Sequence, residues 1–72
     1  MDKVYEEKRS FVCTKLAPLL RSICDGIANV RYVVRNDTLE LVYVTFAKGG
    51  TKCINVTGDS LAALARDVLN HF

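Results

Sequence analysis

From Ala28 to Thr57 the chain runs through three short, apolar-rich stretches separated by turn residues, a pattern that predicts three strands. The stretches Asn29 to Arg35 and Thr38 to Phe46 are dense in β-branched and aromatic side chains, which suit a pleated surface. Between them Asn36 and Asp37 tolerate the positive φ angles of a two-residue hairpin loop, although the usual Gly is missing. Such a loop sets Val34 opposite Leu39, Tyr32 opposite Leu41 and Val30 opposite Tyr43, so these six residues share one face. The other face receives Val33, Val42, Val44 and Phe46, with Arg31, Arg35 and Glu40 among them. Both faces are then substantially apolar, whereas a sheet with one wet side carries polar residues there.

Lys48-Gly49-Gly50 turns the chain into a third strand, Thr51 to Thr57. An odd loop of three, with Gly49 at positive φ, sets Ile54 and Val56 beside Val42 and Val44. An even loop of two sets them beside Leu41 and Tyr43, because a slip of one residue reverses every side chain. The odd loop is favoured, since it gives one face apolar residues from all three strands.

Helical periodicity flanks the sheet. From Asp2 to Cys24 the positions Tyr5, Val12, Leu16, Leu19 and Ile23 recur at helical spacing, widened by Phe11 and Leu20. Asp2 is placed to cap this helix, Glu6 and Glu7 favour its positive end, and Asp25-Gly26 ends it. Pro18 lacks a donor and crowds the carbonyl of Thr14, which predicts a kink, or a break into two helices with Pro18 in the first turn of the second. After Gly58, Asp59 is the expected N-cap of a helix whose stripe is Leu61, Leu64, Ala65, Val68, Leu69 and Phe72. The small residues Ala62, Ala63 and Ala65 favour a close approach to the sheet, and Arg66, Asp67, Asn70 and His71 fall on the wet side.

The whole chain, 1–72, therefore reads as a single α+β domain of order α-β-β-β-α, a three-stranded antiparallel meander with two helices packed on one face. Two helices cover one face of three strands and leave the other bare. With the core built on Val33, Val42, Val44, Phe46, Ile54 and Val56, the bare face shows Val30, Tyr32, Val34, Leu39, Leu41 and Tyr43. An apolar patch of this kind is the expected partner or dimer face.

Size sharpens that expectation. In a chain of 72 residues, roughly 60% of the unfolded surface is buried on folding, and stability is on the order of 4 to 10 kcal/mol. A second copy would add to it, so a homodimer is the expected assembly. The start is charged and no apolar run approaches the ~18 residues that cross a bilayer, so a cytoplasmic protein without membrane contact is expected. Three cysteines without close spacing fit reduced thiols. The net charge of +2 is too small to imply nucleic acid. Six basic residues and one acid between Lys8 and Arg35 nevertheless leave an alternative basic surface of Lys15, Arg21, Arg31 and Arg35.

No set of residues points to catalysis, a metal or a cofactor, and a non-enzymatic protein is expected. His71 is the single histidine, on the polar side of the last helix, and no Cys-x-x-Cys pair or carboxylate cluster joins it. Gly58-Asp59-Ser60 lacks the flanking glycine and histidine base of a nucleophile elbow. Gly49-Gly50 is followed by a strand, where a phosphate loop opens a helix. The element order is shared with double-stranded RNA-binding domains, but those start their second helix on a cluster of lysines, and here Gly58-Asp59-Ser60-Leu61 stands in that place.

The C-terminal third, Ile54-Asn-Val-Thr-Gly-Asp-Ser-Leu-Ala-Ala-Leu-Ala-Arg-Asp-Val-Leu, with the Val42 to Phe46 strand and the glycine turn, resembles a group of small uncharacterised proteins from phages and integrated mobile elements of Gram-positive, often gut, bacteria. The resemblance implies a bacterial cytoplasm and a small inhibitor or regulator of host machinery, defence proteins such as CRISPR nucleases included. It carries no site residues with it. Two functions are thus expected in order: an interaction module that self-associates through the apolar sheet face and meets a host protein, and, as the alternative, a nucleic-acid or small-ligand binder using Arg31 and Arg35.

Overall fold

A computed structural model describes residues 3–72 and shows the α-β-β-β-α order, with the first helix divided. Helix α1 spans Lys3–Phe11, a wide π turn spans Val12–Leu16, and α2 spans Ala17–Ile23. Strands β1 (Ile27–Arg35), β2 (Leu39–Phe46) and β3 (Thr51–Asn55) form an antiparallel sheet in the order β1-β2-β3, and α3 spans Leu61–Leu69. The third strand ends two residues earlier than its apolar pattern suggests. The expected cap at Asp2 lies outside the described residues.

Pro18 breaks the first helix in the second of the two ways open to it, lying at the start of α2. In the π turn the Ala17 N–H reaches back five residues to the Val12 carbonyl, widening the helix where Pro18 brings no donor. The wider turn also decides which face is buried. Lys8, Val12, Leu16 and Leu20 are all buried at a strict spacing of four, which drifts by about 40° per step on a 3.6-residue helix. Leu19 and Ile23, expected in the stripe, point to solvent instead (45% and 58% exposed).

The first hairpin corrects the expected register. Asn36 and Asp37 do adopt positive φ (54° and 61°), and the Thr38 N–H closes the turn on the Arg35 carbonyl at 3.2 Å. Thr38 then stays out of the ladder: Arg35 pairs with Leu39, Val33 with Leu41, Tyr32 with Val42 and Arg31 with Tyr43. One extra residue between the turn and the strand therefore reverses all of β2 relative to β1. Val30, Tyr32 and Val34 lie with Glu40, Val42 and Val44 under the helices, while Leu39, Leu41 and Tyr43 turn to the other side with Arg31, Val33 and Arg35. The six residues expected on one face are thus split three and three, and Val33 leaves the core to Val30 and Tyr32.

The second hairpin has the odd loop. Val42 pairs with Ile54 and Thr45 with Thr51, leaving Ala47, Lys48 and Gly49 in the turn beyond the Phe46–Gly50 hydrogen bond. Gly49 has φ 101°, a backbone state that costs a side chain strain. Ile54 and Val56 accordingly join the core with Val42 and Val44.

The core lies on that one side. Val12, Leu16, Ala17 and Leu20 cover β1, and Leu64 and Val68 close the side toward β3. Helix α3 begins one residue later than expected: Ser60, not Asp59, is the N-cap, its hydroxyl accepting from the Ala63 N–H at 3.2 Å. Asp67, expected on the wet side, is half-buried.

Deleting Thr38 leaves a two-residue turn with Arg35 still opposite Leu39, so Glu40 stays under the helices. The shortened chain, like Thr38→Gly, is expected to keep a cooperative urea transition with a midpoint near that of the wild type; loss of the transition on deletion would show that the third turn residue is needed for the register.

Candidate functional site

Two places on the molecule concentrate polar chemistry, one inside the core side and one on the uncovered face. The inner one is built on Glu40, second residue of the central strand, which the corrected register points under the helices. Only 4% of Glu40 and 6% of Lys8 is exposed, and the Lys8 Nζ meets Glu40 Oε1 at 2.5 Å. The Tyr32 hydroxyl donates to the same oxygen at 2.6 Å, and the Gly58 N–H donates to Oε2 at 2.9 Å. The Glu40 backbone is held as well: its N–H donates to the Thr57 hydroxyl at 2.9 Å, and its carbonyl accepts from the Val56 N–H at 2.9 Å. One carboxylate thereby ties α1, β1, β2 and the corner between β3 and α3.

Burial alone would push the Glu40 carboxyl up, but the bonds from Lys8, Tyr32 and Gly58 outweigh it and hold the group below the usual carboxylate range. Burial and the neighbouring Glu40 carboxylate push the Tyr32 phenol in the opposite direction, well above its usual value of 10.0. An open cleft of about 480 Å³ runs beside the cluster, lined in part by Tyr5, Lys8, Glu40, Gly58 and Asp59. Lys8, Glu40 and Tyr32 are spent on one another, so the arrangement is a tie rather than an acid and base set free for a substrate. Asp59 Oδ2 at the cleft wall is buried without a donor. The Asp67 carboxyl beside it, together with burial, holds Asp59 above its usual range, because a shared proton supplies the donor that two ionised carboxylates lack.

The outer place is the sheet face turned away from the helices. Arg31 stands opposite Tyr43, and its guanidinium lies 5.8 Å from the ring centroid. Arg35 lies four residues further along β1, roughly 13 Å away at strand rise, yet its guanidinium is also 5.8 Å from the same ring. To reach it the Arg35 side chain has to run along the face above the Val33–Leu41 pair. Leu41 is accordingly only 8% exposed although no helix covers it. The floor of the face is apolar, with Val33, Leu39 and Leu41, and its rim carries Asn29, Thr45, Thr51 and Asn55.

The residues singled out in the sequence are therefore divided. Val30, Tyr32 and Val34 belong to the core side, and Leu39, Leu41 and Tyr43 to the open face. Of the expected basic surface, Arg31 and Arg35 come together on the open face, while Lys15 and Arg21 are exposed on the helical layer across the sheet and form no common surface with them. The Lys8–Glu40–Tyr32 cluster escaped sequence reading. Its one signal was a lone acid in an apolar strand and a lysine in phase with Val12, Leu16 and Leu20.

The chain matches no family model, no curated protein and no solved structure. Among the described residues no helix is long and apolar enough to cross a membrane.

Lys8→Met leaves Glu40 buried without its cation and is expected to cost about 3 to 5 kcal/mol, read by urea unfolding at pH 7; adding Glu40→Gln should restore part of the loss. A depressed carboxyl stabilises the fold above its unfolded value of 4.5 and loses that contribution as pH falls through the lower folded value, so an acid titration followed by circular dichroism should unfold Lys8→Met at higher pH than the wild type. Asp59 has the opposite sign: its raised value favours folding only at acid pH. Asp59→Asn is thus expected to raise the melting temperature by a few degrees at pH 7, with the gain shrinking below pH 4.

Proposed function

We propose that this chain is a small non-enzymatic binding module that meets a partner protein through its uncovered sheet face. The observation that carries the reading is the composition of that face: an apolar floor of Val33, Leu39 and Leu41 under one tyrosine and two arginines, with no acidic residue among the strand positions on that side. Apolar residues ringed by Arg and Tyr are the usual make-up of protein contact surfaces. Stacking two such faces in a homodimer sets four guanidiniums against one another, so a partner of different composition fits better than a second copy. The resemblance of the C-terminal third supplies a setting, a phage or mobile element in a bacterial cytoplasm, where a host defence or regulatory protein is the partner class. A second reading, single-stranded nucleic acid on the same face, is favoured by the Arg31–Tyr43–Arg35 cluster and requires binding that weakens steeply with salt.

The test compares two double variants whose folding is first checked by circular dichroism. In retention experiments from a Gram-positive gut bacterium, Arg31→Glu with Arg35→Glu is expected to lose a partner protein that the wild type and Lys15→Glu with Arg21→Glu both hold, and the wild type is expected to run as a monomer in sedimentation. Loss confined to the helical-layer variant, or a wild-type dimer that the sheet variant dissociates, would sink the reading.

A further inference from the structure

We infer that the uncovered face is built to receive an extended, acidic segment of a protein, with carboxylates on alternate residues meeting Arg31 and Arg35; the inference rests on the reading of that face as the working surface.

Charge complementarity comes first. Lys8 and Glu40 form the only ion pair among the described residues, so among these neither Arg31 nor Arg35 is paired with a carboxylate. Both guanidiniums are instead held against Tyr43, which fixes their position while leaving their donors to an incoming acceptor. A carboxylate offers the two parallel acceptors that a guanidinium fork takes up. Spacing comes second. The two guanidinium carbons share one ring at 5.8 Å each, so they stand no more than twice that distance apart. On an extended segment, side chains on one side recur every second residue, at roughly 7 Å. Acidic residues at alternate positions of such a segment, the first and the third, therefore reach the two arginines.

The same geometry argues against a nucleic acid strand. Sequence-tolerant strand binders present several aromatic platforms along a basic groove. Here a single half-buried ring is already occupied by both cations.

The experiment follows backbone amide shifts of the full chain on titration with three probes: the acetylated, amidated pentapeptide Ser-Glu-Ser-Glu-Ser, its twin with lysine in place of glutamate, and a short oligothymidylate. The acidic peptide is expected to move the resonances of Arg31, Val33, Arg35, Leu41 and Tyr43 and to bind at least tenfold more tightly than the twin. In Arg31→Glu with Arg35→Glu the order should reverse in favour of the twin, an outcome that loss of folding cannot produce. Equal response to both peptides, or none to either, overturns the acidic inference; the earlier reading still stands if the same double variant loses its host partner, and falls with it if the partner is kept. A response to oligothymidylate alone overturns both.

Discussion

A carboxylate out of water must find partners, and Glu40 finds them in three different parts of the chain. Lys8 supplies the counter-charge from α1, Tyr32 a hydroxyl from β1, Gly58 a backbone donor from the corner before α3, and Thr57 holds the strand backbone at the same point. Lys8 and Tyr32 are buried against an apolar core, so losing either leaves a charge or a polar group unsatisfied. A cluster of this kind contributes little net stability compared with apolar packing, but it penalises every other arrangement heavily. It therefore acts on specificity: only the register that turns Glu40 inward lets α1, the hairpin and the last corner close together.

The same register settles the character of the opposite face. With Val30 and Tyr32 taken inward, the outer side of β1 is left with Arg31, Val33 and Arg35 facing Tyr43, Leu41 and Leu39. The large apolar residues that stay most exposed, Val4, Leu19, Ile23 and Phe72, all lie in the helical segments or at the chain end rather than on the sheet. The sheet keeps its outer side from being a greasy plane by laying Arg35 across it. What remains is a surface with an apolar floor and positive charge held over it.

The π turn shows a similar economy of cause. Pro18 cannot donate, and the turn before it widens so that the buried series Lys8, Val12, Leu16 and Leu20 stays aligned on the sheet. That alignment is what brings Lys8 to Glu40, 32 positions away in sequence. A local defect in one helix and a single extra residue in one turn are thus both conditions of the same buried ion pair.

The sequence by itself determined the element order, an irregularity at Pro18 and the odd loop with Gly49 at positive φ, because each follows from local periodicity or from the stereochemistry of a few residues. The positive φ at Asn36 and Asp37 was equally legible. What only the tertiary structure decided was the pairing beyond that turn. Whether Thr38 enters the ladder changes no local preference, since either register gives both faces apolar residues, and the difference appears only when Glu40 either meets Lys8 and Tyr32 or does not. The membership of both sheet faces, and with it the candidate contact surface, depended on that long-range choice: a side-chain period of two turns an offset of one residue into a reversal, and the energy that selects the offset comes from groups far apart in the chain.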